Sequence, residues 1–155
     1  MHTSSLNIHT KNVIGFRLFP IGPTIFRSSE IEKIKILMNK NASWAANRDQ
    51  KGIEKMICNS TEVITLWNNQ QLIGFGRANS DYMYRAVLWD IIVDKNHLGK
   101  GYGKRIVKDL IARKSLNEVE KIYIMTTNCS EFYRKIGFQE SKKQKLFYKK
   151  YTLSK

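Results

Sequence analysis

The spacing of apolar residues along the chain predicts an alternation of helices and strands. Apolar stripes at helical spacing, the first after a capping box at Ser29 and the second after the potential cap Asp49, predict amphipathic helices. Short runs rich in β-branched and aromatic residues, bounded by polar turns, predict strands. The helical stripes are Ile31, Ile34, Leu37 and Met38, then Ile53, Met56 and Ile57, then Ile106, Val107, Leu110 and Ile111, with a short helix at 130–136 that Gly137 ends. The predicted strands are 13–19, 61–67, 72–78, 86–93 and 119–127, with Phe138 and 146–152 completing the sheet.

The order of these elements predicts the fold class. Strands 61–67 and 72–78 flank a polar tetrapeptide and form a hairpin, whereas strand–helix–strand units follow later in the chain. This order is typical of an α+β fold with a mixed, mostly antiparallel sheet. At 155 residues the chain is expected to be a single domain, 1–155, with 1–12 as a loose N-terminus. The strand predicted at 13–19 argues against a cleaved leader.

A glycine-rich turn lies between the strand that ends near Asp94 and the third predicted helix. Its sequence is Leu98-Gly99-Lys100-Gly101-Tyr102-Gly103-Lys104. The first N–H groups of a helix have no intrahelical partner and the helix dipole is positive there, so a strand that passes into a helix through glycines suits a phosphate group. We therefore predict a phosphate site between Gly99 and Lys104. The alternative is an ordinary tight turn whose glycines serve only to allow positive φ.

Two blocks of the sequence resemble motifs of one enzyme family. Val93-Asp94 followed by the glycine-rich turn resembles motif A of the GNAT superfamily of acetyl-CoA-dependent N-acetyltransferases, with Leu98 where that motif usually has Arg or Gln. Farther along, Phe132-Tyr133-Arg134-Lys135-Ile136-Gly137-Phe138 resembles the family's Phe-Tyr-x-Lys-x-Gly-Phe element. Other positions resemble the small GNAT enzymes of plastids and cyanobacteria, a group that includes chloroplast acetyltransferases acting on serotonin or on protein lysines and N-termini. These positions are Trp44, Gly74-Phe75-Gly76-Arg77-Ala78, Ser80-Asp81 and Trp89-Asp90, and the resemblance covers roughly residues 25–150.

The resemblance implies the fold and the cosubstrate. It implies the GNAT acyl-CoA N-acyltransferase fold, with six or seven strands and about four helices, and direct acetyl transfer from acetyl-CoA without a metal. In that fold the strand after the hairpin splays from its neighbour, and its free main-chain groups hold the pantetheine arm and the acetyl carbonyl. The alternative for this strand is a central position with every main-chain group paired. The residues to which the resemblance assigns acetyl-CoA binding are Ile91, Ile92, Val93, Leu98, Gly99, Lys100, Gly101, Tyr102, Gly103 and Lys104.

Two residues are candidates for moving protons. Asp90 interrupts an apolar strand, where a carboxylate is costly to bury without a partner or a task, and the resemblance implies that it accepts the amine proton, often through water. The alternative is an ion pair of Asp90 with Arg77 or another base. The resemblance implies that Tyr133 is the general acid for the CoA thiolate, a task that suits a phenol with a pKa near ~10. The alternative is that Tyr133 packs with Phe132 and Phe138, although Phe132 is expected to take the core position and leave Tyr133 free.

Amine acetylation is the function that these residues predict. We expect an acetyl-CoA-dependent N-acetyltransferase acting on a primary amine, either a protein lysine or N-terminus or an arylalkylamine such as serotonin. Very basic acceptors such as polyamines are a poor match for a basic enzyme. One alternative is an N-acyltransferase or antibiotic-type acetyltransferase with a small cationic substrate, and another is a catalytically idle CoA- or RNA-binding module on the same fold. Aromatic residues suited to an acceptor pocket, each equally suited to core packing, are Trp44, Tyr82, Tyr84 and Trp89.

Charge and hydropathy constrain the partners. The formal net charge is +14, and basic residues concentrate at 100–114 and in the tail 142–155. Such a field attracts anions, but no basic–aromatic binding motif is present, so acetyl-CoA and an amine are the expected partners and a nucleic acid is not. No apolar run reaches the ~18 residues of a membrane span, and no membrane partner is expected. The oligomeric state is left open, a homodimer included.

The remaining candidate residues receive no chemical role. Cys58 and Cys129 lack metal-site spacing and a neighbouring histidine, so both are expected to be buried, reduced thiols. His97 is expected to face solvent near the glycine-rich turn. No secretory signal is visible, and the resemblance implies a soluble protein of a plastid or of the cytoplasm of a cyanobacterium-like cell.

Overall fold

A computed structural model of the protein describes residues 4–12, 15–18 and 28–151. The chain divides into two compact units, with the boundary between Met125 and Thr126. The strands are β1 (Ser4–Asn12), β2 (Gly15–Leu18), β3 (Glu62–Asn68), β4 (Gln71–Ser80), β5 (Arg85–Val93) and β6 (Lys121–Ile124). The α-helices are α1 (Ser28–Asn41), α2 (Gln50–Cys58), α3 (Tyr102–Ile111), α4 (Lys114–Asn117) and α5 (Ser130–Lys135).

The first unit is built on a sheet with the strand order β2-β1-β3-β4-β5-β6. The strands from β2 to β5 pair antiparallel, whereas β5 and β6 pair parallel. The four strands β3 to β6 therefore form a mixed sheet, and this part holds the predicted 61–78 hairpin. The α+β class and the largely antiparallel pairing are confirmed.

Helices α1 and α2 bury their predicted apolar stripes on one face of this sheet. The α1 stripe, Ile31, Ile34, Leu37 and Met38, is at most 2% exposed and packs in one cluster with residues of α2 and the sheet. Helix α2 begins as predicted, because the Asp49 carboxylate accepts a hydrogen bond from the Gly52 N–H at 2.6 Å. Both helices therefore form where the sequence pattern expects them.

Helix α3 packs on the opposite face, and two glycines of β4 let it approach. A Cβ added to Gly74 would lie 2.8 Å from Ile106 Cδ1, and one added to Gly76 would lie 2.6 Å from Ile106 Cγ2. Phe75, between them, points to the α1 and α2 side and is fully buried. The Gly-x-Gly of β4 thus marks the place where a helix lies directly on the strand.

The ends of the chain differ from the prediction. Residues 4–12, expected to be loose, form strand β1, which pairs with β3 from Ser4↔Asn68 to Thr10↔Glu62. Main-chain pairing of this kind needs a free strand edge rather than a strong side-chain pattern, so the polar sequence of 4–12 does not signal it. The strand predicted at 13–19 is β2 over its described part, and residues 13, 14 and 19 lie outside the described residues.

Farther along the chain, three predictions change. Strand β6 is shorter than the predicted 119–127, and α4 is an additional helix, which makes five α-helices among the described residues. Residues 146–151 form no strand, and their apolar side chains are exposed, Phe147 by 84%. The apolar residues of the tail favoured a strand, but Lys149 and Lys150 interrupt them, and residue 152 lies outside the described residues.

Candidate active site

A β-bulge in β5 lies at the centre of the predicted site. Arg77 pairs with Trp89 and Phe75 pairs with Ile92, so two residues of β5, Asp90 and Ile91, stand opposite one residue of β4. The first of them, Asp90, has a φ of +51°, in the left-handed region that non-glycine residues rarely adopt. A bulge with an extra residue bends the strand and redirects its main-chain groups.

Strand β5 also loses a neighbour at this point. The parallel register with β6 runs from Arg85↔Lys121 to Leu88↔Ile124 and ends there. Within the described part of the chain, residues 89–93 therefore have a strand partner only on the β4 side. This geometry agrees with the expected splay, and it leaves one edge of the main chain at Ile91, Ile92 and Val93 without a strand partner.

The Asp90 side chain forms the centre of an ion-pair network. Its Oδ2 accepts hydrogen bonds from Arg77 Nε at 2.8 Å and from Arg48 at 3.0 Å. Its Oδ1 accepts one from Trp44 Nε1 at 3.3 Å. The carboxylate is 4% exposed, and the Arg77 guanidinium also lies over the Trp89 ring, 5.6 Å from its centroid.

This network lowers the proton affinity of Asp90. Burial opposes ionisation, but the hydrogen bonds and charges of Arg48 and Arg77 outweigh it and hold the pKa of the carboxyl below its ordinary value of 3.8. The structure therefore contains the ion pair of Asp90 with Arg77 that was given above as the alternative to a base role. A carboxylate with a lowered pKa and both oxygens in use is a weak general base.

The turn after β5 is anchored to the C-terminus of α1. Asp94 accepts hydrogen bonds from the Asn96 N–H at 2.9 Å and from Lys40 Nζ at 3.1 Å. The Asn41 side chain accepts a further hydrogen bond from the Lys95 N–H at 2.9 Å. Burial raises the pKa of Asp94, but the Asn96 N–H and Lys40 lower it more, and the net direction is downward. These contacts fix the chain just before the glycine-rich turn.

The same turn holds His97, which is not solvent-facing as expected. Its side chain is 14% exposed and lies beside Asp94, with 3.8 Å between Nδ1 and Oδ1. The ring also lies 6.4 Å from the ring of Tyr102 between centroids. The expectation was wrong because the single helical turn Lys95–His97 brings the histidine side chain back beside Asp94, which caps that turn.

The glycine-rich turn opens directly into α3. Gly99 and Gly101 have φ values of +75° and +80°, and a Cβ added to either would meet no atom within 4 Å. Gly101 is the N-cap of α3, so the first N–H groups of this ten-residue helix face the open side of the turn. Lys100 and Lys104 are exposed there. The arrangement fits a diphosphate, which needs main-chain donors, positive charge and room close to the backbone.

Leu98 differs from the Arg or Gln of the family motif both in residue type and in the contacts that its side chain can make. Its side chain is 63% exposed and offers no hydrogen-bond donor. Tyr102 and Gly103 lie in the first turn of α3, and both are half-buried. The predicted residues of the turn therefore lie together, and the groups that they offer to a ligand are mainly main-chain groups.

Tyr133 lies in the second unit, on α5. It is 8% exposed, and its ring makes edge contacts with Phe132 at 4.9 Å and Phe138 at 5.8 Å between centroids. The expectation that Phe132 would take the core position was wrong, because Tyr133 is the more buried of the two. Burial, together with the charge of Cys129, raises the pKa of Tyr133 to about 12.

The predicted acceptor-pocket aromatics separate into two groups. Trp44 joins the Asp90 network and is 59% exposed, and the half-buried Trp89 joins it through Arg77. Tyr82 and Tyr84 lie in the β4–β5 turn and are 55% and 61% exposed. The rings of Trp44, Tyr82 and Tyr84 are therefore not packed in the core.

Sequence reasoning missed several residues of this region. Arg48 was not named, although a buried acid in an apolar strand calls for a base and Arg48 directly precedes the predicted cap of α2. The close packing at Gly74 and Gly76 could have been predicted, since glycines inside a strand often mark a place where another element approaches the strand closely. Both cysteines, expected to be buried, are exposed. The polar context of each, Asn59 after Cys58 and Asn128 before Cys129, is consistent with that exposure.

The described residues offer neither a metal centre nor a helix that could cross a membrane. Among them, no group of three or more His, Cys, Asp or Glu side chains is arranged to hold a metal ion. No helix in the described part combines the length and hydropathy that a membrane crossing requires.

Known proteins resemble this chain in sequence. The family model of the acetyltransferase (GNAT) domain matches residues 59–140. The histone acetyltransferase TAP1 of Glycine max is 35% identical over 71 residues, 45% of this chain and 31% of that protein. The uncharacterized N-acetyltransferase ycf52 of Pyropia yezoensis is 31% identical over 63% of this chain and 59% of its own length. The chain thus spans between about a third and three fifths of these relatives.

The fold comparison agrees with the sequence comparison. A GNAT-family protein of Xanthomonas campestris superposes with a TM-score of 0.70 at 20% identity, covering 96% of this chain and 94% of that one. At this identity the likeness concerns the fold alone. The matched domain, which includes β3 to β5, the glycine-rich turn and α5, covers more than half of the chain. The chain belongs to the GNAT family of acetyltransferases.

Proposed function

We propose that this protein transfers the acetyl group of acetyl-CoA directly to a primary amine. The observation that carries the proposal is the combination, within one unit, of an open helix N-terminus at Gly101 with a bulged strand that, in the described part of the chain, has no strand partner on its β6 side beyond Leu88. The first feature suits the diphosphate of CoA, and the second suits its pantetheine arm and thioester. Family membership supports the same chemistry.

The chain's own residues would hold the cosubstrate mainly through the main chain. The N–H groups at the start of α3 and the exposed Lys100 and Lys104 would bind the diphosphate. The edge of residues 91–93 would pair with the amide groups of pantetheine, as an added strand pairs with a sheet edge. An N–H group at the bulge would then be the donor for the carbonyl oxygen as it gains negative charge.

The proposed reaction forms one bond and breaks one. The neutral amine nitrogen attacks the thioester carbon, a C–N bond forms, and the C–S bond breaks with its electron pair passing to sulfur. We propose that Tyr133 gives its phenolic proton to this thiolate. The raised pKa keeps the phenol protonated at neutral pH but also makes it a weaker acid, so the role rests on the match of Phe132–Phe138 to the family element and not on the pKa. The phenolate left after the transfer regains a proton from water. The proton of the attacking nitrogen passes to solvent water.

We propose a positioning role for Asp90 in place of the base role that the sequence suggested. Its two guanidinium partners and its lowered pKa disfavour proton uptake. The same contacts hold a strained residue in the bulge and so fix the direction of the neighbouring main-chain groups. Asp90 would then affect the rate through the geometry of Ile91.

The acceptor is proposed to be a protein amine or an arylalkylamine. One relative carries the name histone acetyltransferase, and another is the chloroplastic GCN5-related N-acetyltransferase 2 of Arabidopsis thaliana, 32% identical over 71 residues. The exposed rings of Trp44, Tyr82 and Tyr84 would supply flat apolar contacts for either acceptor. The chloroplastic relatives support a plastid location.

The test measures binding and transfer separately. Titration calorimetry with acetyl-CoA is expected to give micromolar binding that weakens severalfold in a Lys100→Gln/Lys104→Gln variant, with Lys51→Gln/Lys55→Gln, two exposed lysines of α2, as the charge-matched control. Release of free CoA in the presence of lysine peptides, peptides with free N-termini or serotonin reports transfer, and mass spectrometry locates the acetyl group. Binding without transfer to any of these amines would indicate an idle CoA-binding module. An absence of acetyl-CoA binding would refute the proposal.

A further inference from the structure

The Asp90 network carries more positive than negative charge. Two guanidinium groups, those of Arg48 and Arg77, share the single carboxylate of Asp90. The remaining hydrogen-bond partners of Arg77 are neutral, the Ser60 hydroxyl and the Asn79 amide oxygen. One positive charge at the bulge is therefore not balanced within this network.

The unbalanced charge is accessible at Arg48. The Arg48 side chain is 33% exposed, whereas that of Arg77 is 14% exposed. Its other contact is with Met56 Sδ at 3.3 Å, which is neutral. The adjacent Asp49 does not neutralise it by pairing, because that carboxylate caps α2 through the Gly52 N–H. Arg48 can accept a further anionic partner without leaving Asp90, since a guanidinium has five donors.

An exposed aromatic ring shares the carboxylate with this guanidinium. Trp44 is 59% exposed and donates to Asp90 Oδ1, while Arg48 donates to Oδ2, so the two side chains converge on one carboxylate. A flat apolar wall beside a charge excludes water and strengthens an ion pair formed there. The net charge of +14 on the chain also favours the approach of anionic over cationic molecules.

We propose that Arg48 makes this protein select acceptor peptides whose reactive amine lies beside an aspartate or glutamate. This inference rests on the proposed acetyl transfer and names the acceptor class: a lysine or N-terminus within an acidic segment. A neighbouring carboxylate pairs with Arg48 beside the Trp44 ring, whereas a neighbouring lysine is repelled by the same charge.

The experiment compares three peptides of equal length, each with one reactive lysine and a blocked N-terminus. The residues flanking the lysine are Asp in the first peptide, Ser in the second and non-reactive trimethyl-lysine in the third. The expected kcat/KM is at least tenfold higher for the first than for the third, and this ratio falls as NaCl rises because the pairing is partly exposed.

Variants assign the preference to Arg48. Arg48→Gln is expected to reduce the ratio of the two kcat/KM values to below threefold, and the ratio removes any general loss caused by a disturbed bulge. Arg48→Lys keeps the charge and is expected to retain most of the preference. Lys51→Gln removes an exposed charge from α2 outside the network and is expected to keep the wild-type ratio.

The outcomes separate this inference from the proposed function. Equal rates for all three peptides, or a preference that survives in Arg48→Gln, would overturn the selectivity while leaving acetyl transfer intact. A chain that acetylates none of the peptides and no other amine would instead remove the proposed function on which the inference rests.

Discussion

Asp90 shows how one residue can be strained and stable at once. A non-glycine residue in the left-handed region costs about 1–2 kcal/mol, and a buried carboxylate adds a desolvation cost. Donors from Trp44, Arg48 and Arg77 surround the side chain and offset both costs. The bulge is therefore held by side chains that lie far from Asp90 in the sequence.

Replacing Asp90 by Asn tests whether it holds the bulge or accepts a proton. Asp90→Asn keeps the size but leaves two guanidinium groups without a buried counter-charge, so we expect the free energy of unfolding to fall by about 3 kcal/mol in urea denaturation. Asp109→Asn, which removes an exposed acid 3.7 Å from Arg105, should change it by about 0.5 kcal/mol or less. A different outcome would support the base role of Asp90: unchanged stability, a hundredfold lower kcat and a pH–rate profile that no longer falls at low pH.

Removing the Tyr133 hydroxyl tests the general acid. Tyr133→Phe is expected to lower kcat by about 10²-fold while acetyl-CoA binding stays within twofold, because only the proton donor is lost. Since a general acid acts in its protonated form and the pKa of Tyr133 is raised to about 12, the wild-type rate should not fall from titration of this phenol between pH 7 and about 10. Tyr148→Phe, an exposed tyrosine, is the control. A kcat for Tyr133→Phe within threefold of wild type would exclude the role.

At the scale of elements, helix α3 lies close to β4 at two glycines. Gly74 and Gly76 face Ile106, but they meet different atoms of it: Gly74 faces the terminal Cδ1 and Gly76 faces Cγ2 near the main chain. The terminal Cδ1 can move aside by rotation about χ2, whereas Cγ2 moves only if χ1 leaves its preferred helical rotamer or the helix shifts. The two glycines therefore differ in how much an added methyl costs.

This difference gives a prediction for two alanine variants. Gly76→Ala should destabilise the protein by about 2–3 kcal/mol, and Gly74→Ala by about 1 kcal/mol, both measured by urea denaturation. Ile106→Val removes Cδ1 but keeps Cγ2, so it should offset part of the cost of Gly74→Ala and none of the cost of Gly76→Ala in double-mutant cycles. Equal offsets in the two cycles would contradict the packing described here.

The turn before α3 makes a separate prediction. Gly101→Ala meets no atom but places a Cβ at a φ of +80°, so we expect about 1 kcal/mol of destabilisation and a shifted turn that raises the KM for acetyl-CoA at least fivefold. Asn69→Ala introduces similar strain at a φ of +53° in the β3–β4 turn and should leave that KM unchanged. A KM unaffected by Gly101→Ala would place the diphosphate elsewhere.

For the whole molecule, the two buried aspartates of the first unit predict its acid sensitivity. Asp90 and Asp94 have pKa values lowered in the folded state, so their contribution is present above about pH 4 and is lost as the pH falls through the folded-state values. Urea denaturation should therefore show a falling free energy of unfolding below about pH 4. The free energy of unfolding should fall less steeply with decreasing pH in Asp90→Asn. An unchanged slope would mean that the network does not contribute to the acid sensitivity.

The pattern of the sequence was sufficient for the elements whose cause is local. The α1 stripe, the Asp49 cap and the hairpin around residues 68–71 depend on neighbours a few positions apart, and each formed as expected. The glycine-rich turn belongs to the same group, because positive φ at Gly99 and Gly101 is a local property. The single domain 1–155 stays a prediction.

Features that join distant segments were not visible in the pattern. The polar segment 4–12 became a strand because the edge of β3 was available, and the apolar residues of 146–151 remained exposed although the sequence predicted a strand there.

The sequence by itself determined the amphipathic helices, the glycine-rich turn and the family, since periodicity, glycine and short motifs act over a few residues. Only the tertiary structure decided what Asp90 does. Its proton affinity depends on Arg48, 42 positions earlier, and on the bulge that brings the two together. Electrostatic free energy depends on distance in space, and chain connectivity does not specify that distance before the sheet and α2 have packed.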